Sequence, residues 1–108
     1  MIYTVEEIRR CITPIAVRYR LNGVYLFGPY ARREATDESD IDLLIDTSGT
    51  SLKGLFALGA VYCDLEDALQ KKIDLLTLSA LEQRAQLPSD ITFRETVAKE
   101  RVRLYPVA

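Results

Sequence analysis

Apolar and polar positions alternate with two different periods along the chain, and the switches between them outline its elements. Val5, Ile8, Ile12, Ile15, Ala16 and Tyr19 recur at helical spacing, and Thr4 with Glu7 forms a capping box ahead of them. This predicts a first helix that Pro14 kinks or divides and Asn22-Gly23 ends. "VYLF" (24–27) is short, β-branched and aromatic, and reads as a buried strand ending at Gly28. Residues 29–33 can form a brief helical turn, and "EATDES" is a polar loop. In "DIDLLID" (40–46), Ile41, Leu43 and Ile45 point one way while Asp40, Asp42 and Asp46 point the other. Leu44 breaks the polar face, so half of that face is expected to be covered.

"TSGTS" (47–51) reads as a loop, and Leu55, Leu58, Tyr62, Leu65 and Leu69 predict an amphipathic helix over 52–69. Gly54 and Gly59 are expected to let that helix pack closely. "KIDLLTL" (72–78) predicts a third strand, Ser79 a cap for a short helix, and Ser89 or Asp90 the start of a last helix carrying Val97 and Val102. Helices and strands thus mix along the whole length, as in an α/β (α+β type) fold with a small mixed sheet of about three or more strands and helices packed on it. The direction of the second strand relative to the first stays open. With 108 residues and no linker or repeat, a single domain spanning 1–108 is expected.

Composition narrows the function classes. Hydrophobic residues make up 48% and charged residues 28%, the balance of a globular chain. Fourteen Lys and Arg against sixteen Asp and Glu leave no basic stripe, so extended nucleic acid is not the expected partner. Histidine is absent, which removes thiolate–imidazole zinc sites and His-based triads. Cys11 and Cys63 have no CxxC or Cys/His partner and are expected to be small buried thiols in a reducing compartment. No apolar run approaches a membrane span, so a cytoplasmic location is expected. Phe56, Tyr62 and Tyr105 are expected in the core, a partner-facing patch being the alternative.

The chemistry lies in "LFGPYARREATDESDIDLLID", residues 26–46. Residues i and i+2 of a strand share a face, their Cβ atoms roughly 6–7 Å apart. Asp40 and Asp42 therefore set two carboxylates side by side, which in a core strand costs repulsion and desolvation. Oxygen ligands of this kind suit Mg²⁺, and Asp74 of the third strand could complete a clamp for one or two ions. Gly28 lets backbone approach a phosphate, and the helical turn after it is an anion site. Three solvated aspartates on edge strands are the bland alternative.

Gly28, ten residues after position 29, then Asp40-Ile41-Asp42, resembles the G-S-x₁₀-D-x-D signature of the nucleotidyltransferase superfamily that includes DNA polymerase beta and kanamycin nucleotidyltransferase. "YLFGPYARREATDESDIDLLID" followed by "KKIDLLTL" and "RVRLY" is most similar to the minimal nucleotidyltransferase (MNT) domain, the antitoxin of HEPN/MNT toxin–antitoxin pairs. The resemblance implies the polymerase beta-like fold and transfer of AMP from ATP–Mg²⁺ to a hydroxyl with release of pyrophosphate. It further implies two Mg²⁺ ions and a HEPN-type toxin whose tyrosine is the acceptor, with which the chain could form an oligomer. Asp40, Asp42 and Asp74 would be the catalytic metal ligands, and Gly28, Pro29, Arg32, Arg33 and Ser39 the nucleotide-binding positions. Two positions depart from the family: Pro29 stands where it has Ser, and Arg33 where it usually has Gly. Proline lacks the hydroxyl and N–H that serine gives a phosphate, though it suits the first position of a helix. A catalytically weakened module that masks a toxin is thus the second expectation, and a small-molecule transferase the third.

Overall fold

The computed structural model describes residues 2–52, 54–83 and 88–107. Helix α1 (Val5–Arg18) starts at the expected capping box, with Glu7 N–H donating to Thr4 Oγ1 (3.1 Å) and Thr4 N–H to Glu7 Oε1 (2.9 Å). It buries Ile8, Ile12, Ile15 and Ala16 and runs unbroken through Pro14, which lies on its exposed side. Asn22-Gly23 does not end it. Arg20 does, at φ +55°, with Arg20 N–H donating to Val17 O (3.1 Å) and Leu21 N–H to Ala16 O (2.9 Å). This is a Schellman closure with arginine where glycine is usual, and Gly23 passes into the first strand.

Strand β1 (Gly23–Phe27) leads into α2 (Gly28–Ala31), and β2 (Ile41–Asp46) returns antiparallel to β1 with Phe27 opposite Asp42. Helix α3 (Gly54–Leu69) crosses over to β3 (Ile73–Thr77), which runs parallel to β2. Helices α4 (Leu78–Gln83) and α5 (Pro88–Glu100) follow, and β4 (Val102–Tyr105) pairs antiparallel with β1. The sheet order is β3-β2-β1-β4.

Strand alternation divides the interior in two. Val24, Leu26, Ile41, Leu43 and Ile45 face α1 and α3 in the main core, together with Val61, Leu65, Leu69 and Leu104. Phe27 and Leu44 face the other way and meet Leu81 of α4 and Val97 of α5 in a smaller cluster. Leu44 breaks the polar face of β2 because α4 covers that half of it, as its pattern predicted.

Several expectations are corrected. Val102 belongs to β4 rather than to the last helix, because α5 stops at Glu100. Thr77, not Ser79, caps α4, its Oγ1 accepting from Ala80 N–H (3.1 Å). Leu55 is 87% exposed and Phe56 fully exposed, so the inward face of α3 starts later, at Leu58 and Val61. Tyr62 and Tyr105 do pack on the main core. A Cβ at Gly54 or Gly59 would meet nothing within 4 Å; Gly54 instead supplies a φ of +82° at the start of the helix. Cys63 is exposed and Cys11 half-buried, so neither is the fully buried thiol expected.

The left-handed Arg20 yields a clean test. Arg20→Gly removes the steric cost of a Cβ at positive φ, part of which glycine returns through its freer unfolded state. Thermal unfolding is expected to show a gain of about 0.5–1 kcal/mol, and an unchanged or lower Tm would contradict the strain.

Candidate active site

The antiparallel return of β2 carries its first residues to the end of β1, and the parallel β3 begins beside them. Phe27, Asp42 and Asp74 are consequently register neighbours across three strands, in a row at one end of the sheet. The next row inward holds Tyr25, Leu44 and Leu76, which α4 and α5 cover. Phe27 lies under the same cover, and Asp42 and Asp74 lie just past it.

Gly28 closes the row. Its φ is +73°, and a Cβ there would collide with Asp42 Oδ2. Two independent requirements therefore fall on one residue: left-handed backbone, and contact between that backbone and a carboxylate. Pro29 fits the first turn of α2, where no N–H is needed, and its carbonyl accepts from Glu34 N–H (2.8 Å). The Gly28 N–H does have a partner: it donates to Glu100 Oε1 (3.0 Å). Arg32 Nη1 donates to both oxygens of the same carboxylate (3.2 and 3.0 Å), and Arg32 Nε to Glu34 Oε2 (3.1 Å).

Burial, then the charges of Asp74 and Asp40, push the Asp42 carboxyl up from 3.8 to about 6; Arg32 opposes the shift and Glu100 adds to it. Asp46, at the far end of the same strand, is the contrast. Burial pushes it up, but hydrogen bonds from Ser48 and Asn22 more than reverse this and leave it below the usual carboxylate value. Asp46 is a satisfied turn residue, whereas Asp42 is half-buried with burial and repulsion outweighing the attraction of Arg32.

Asp40 precedes β2 and is half-buried, and Asp74 is exposed. Among the described residues no group of three or more Asp, Glu or Cys side chains lies close enough together to hold a metal ion. Asp40, Asp42 and Asp74 instead form an open set of like charges with only oxygen donors. That chemistry fits a hard divalent cation, which would relieve the strain on Asp42. Ser39 lies one residue away and closes the turn before β2, its Oγ accepting from Thr36 N–H (2.9 Å).

Arg33 goes elsewhere. It sits at φ +61° in a second Schellman closure, with Glu34 N–H on Pro29 O, a backbone that favours glycine. It lines a cavity of about 580 Å³ beside Tyr3 and Glu6 of the α1 end, away from the acidic row. Two residues of the site escaped sequence reasoning. Glu100 lies 72 positions from its Gly28 partner, and no spacing rule links them. Tyr62 donates to Glu66 Oε2 (3.1 Å), and its hydroxyl is pushed up by that bond first, then by burial and by Glu66, Asp40 and Asp74.

A glycine turn packed on a strand aspartate, with a second aspartate in register on the neighbouring strand, defines a nucleotidyltransferase-type site. The chain belongs to the polymerase beta nucleotidyltransferase family, whose family model, "Polymerase beta, Nucleotidyltransferase", matches residues 11–105. "Putative protein adenylyltransferase MJ0435" of Methanocaldococcus jannaschii is 35% identical over 77 residues, covering 71% of this chain and 81% of that protein. "Putative protein adenylyltransferase MJ1217" of the same organism is 38% identical over 77 residues, covering 70% and 76%. Among solved structures, one described as a putative minimal nucleotidyltransferase matches with a TM-score of 0.67 and 25% identity, over 93% of this chain and 95% of that one. A toxin–antitoxin crystal structure with AMP-PNP shares the fold, with a TM-score of 0.68 and 20% identity over 90% and 72%.

Asp42 is costly to the protein on its own. A folded-state value near 6 against an ordinary 3.8 means that ionisation destabilises the fold. The penalty is absent below about pH 4, grows up to about pH 6 and is complete above it. That difference corresponds to about 3 kcal/mol, which solvent at a half-buried site reduces to about 1–2 kcal/mol. Asp42→Asn is therefore expected to raise Tm at pH 7.5 without divalent ions and to leave it unchanged near pH 4; equal melting at both pH values would contradict the strained carboxylate. Gly28→Ala is expected to lower stability by about 2 kcal/mol or more, read by denaturant unfolding, because it incurs both the φ strain and the Asp42 collision.

Proposed function

We propose that the chain transfers AMP from ATP to a hydroxyl of a partner protein, a tyrosine of a HEPN-type toxin, and so acts as an antitoxin. The contact of the Gly28 backbone with Asp42, in register with Asp74, carries this reading. The adenylyltransferase names of the relatives and the toxin–antitoxin neighbour with AMP-PNP support it.

In this reading Asp40, Asp42 and Asp74 hold two Mg²⁺ ions. When bound, these supply charge for the triphosphate and for the oxygens entering and leaving phosphorus. The Gly28 N–H and the Arg32 guanidinium orient the phosphates behind the reacting one. Pro29 shapes the turn without donating to them, and Ser39 fixes the loop that delivers Asp40. Arg33 has its role in the α2 closure rather than at the triphosphate. The acceptor oxygen forms its bond to the α-phosphorus as the bond to the pyrophosphate oxygen breaks. Asp74, the exposed member of the trio, takes the proton of the incoming hydroxyl in this reading.

A masking function is the second reading, and Pro29 favours it, since the turn lacks the family's serine donors. Incubation of the partner with α-labelled ATP and Mg²⁺ separates the two. AMP transfer that falls more than a hundredfold in Asp42→Asn, with neutralisation lost but the complex intact, is the expected outcome. Neutralisation that survives Asp42→Asn would leave masking as the function. Pro29→Ser restores one hydroxyl and one N–H, and a gain in transfer of roughly tenfold is expected from one charge-assisted bond.

A further inference from the structure

Glu100 has no place in the chemistry above, yet it holds both phosphate donors of the site. Its Oε1 accepts from Gly28 N–H (3.0 Å) and from Arg32 Nη1 (3.2 Å), and its Oε2 accepts from Arg32 Nη1 (3.0 Å). The side chain is only 16% exposed. It also adds a fourth negative charge beside Asp40, Asp42 and Asp74 and helps to raise Asp42. A carboxylate is tolerated in so acidic a place because a backbone N–H and a guanidinium together make a seat for an anion. The occupant is supplied by the chain itself, from the last residue of α5.

Resting on the nucleotide reading of this site, we propose that Glu100 is a specificity-determining residue: a built-in competitor that yields the Gly28–Arg32 seat only to a metal-loaded polyphosphate. The Gly28 N–H carries one hydrogen and cannot serve Glu100 and a phosphate oxygen fully at once. Inorganic phosphate, or a polyphosphate without metal, offers the same two donors only what Glu100 already gives, and meets four carboxylates on approach. A polyphosphate carrying divalent ions gains Asp40, Asp42 and Asp74 through those ions, and that added attraction displaces Glu100. The residue thus excludes simple anions while leaving the productive ligand able to bind.

The test is Glu100→Gln in the full chain, with inorganic tripolyphosphate as probe in isothermal titration, once with Mg²⁺ and once with EDTA. Glutamine keeps an oxygen for Gly28 N–H and gives up the charge. Binding in EDTA is expected to tighten at least tenfold over wild type, with a smaller change in Mg²⁺, so that the dependence on metal shrinks. Equal or weaker binding by the variant in EDTA, while wild type binds ATP–Mg²⁺, overturns the competitor and leaves the nucleotide site standing. Failure of both proteins to bind ATP–Mg²⁺ overturns the nucleotide reading and the competitor with it. Should Glu100→Gln not fold, crystals of the wild-type chain grown with tripolyphosphate and Mg²⁺ decide. A phosphate oxygen on Gly28 N–H with Glu100 turned away supports the proposal, and Glu100 still on that amide with the anion bound elsewhere refutes it.

Discussion

The contact between the Gly28 backbone and the Asp42 carboxylate is the constraint around which the rest is arranged. It demands a residue without a side chain, in a left-handed conformation, at the end of a strand. It also demands that the following strand run back antiparallel, because only then does the beginning of β2 meet the end of β1. The parallel crossover through α3 then sets Asp74 beside Asp42 in register. Sheet topology thus does the work of gathering the carboxylates. Side-chain packing has only to leave Asp42 and Asp74 outside the smaller cluster, in which Leu81 and Val97 cover Phe27 and Leu44.

Electrostatics and stability pull in opposite directions at this place. Asp46 shows what the same strand does with a carboxylate it has no other use for: Ser48 and Asn22 satisfy it. Asp42 has burial and three repelling neighbours, Asp74, Asp40 and Glu100, instead. A sequence selected for stability alone would place a leucine there and extend the second cluster. Such an unfavourable arrangement is what the proposed site, whose favourable partner comes from outside, requires.

Much of this was legible in the residues. The alternation of Ile41, Leu43 and Ile45 with Asp40, Asp42 and Asp46 identified the strand and its acidic face, and Thr4 with Glu7 located the first helix start. Helix ends were harder, for one physical reason. The sequence rule for a left-handed closure looks for glycine, but here Arg20, Arg33 and Gln70 adopt positive φ. The visible glycine at Gly23 therefore drew attention to a position where no such closure occurs. The strand β4 was missed because "VRLY" is short and follows a helix after one residue. Glu100 could not be found at all, since its meaning comes from Gly28 and Arg32, which lie far away along the chain.

The two sides of the sheet are unequally anchored, and this bears on how the molecule moves. The α1/α3 side is held by a broad apolar interior, while the α4/α5 side has four buried side chains with a few half-buried ones around them, an edge-on contact of Phe27 with Phe93 and the stacking of Arg101 on Tyr25. Partial unfolding should begin in that thinner layer, with amides of α5 exchanging with solvent well before those of α1. Because Glu100 rides on the last turn of α5, each such excursion would also detach its carboxylate from the glycine turn.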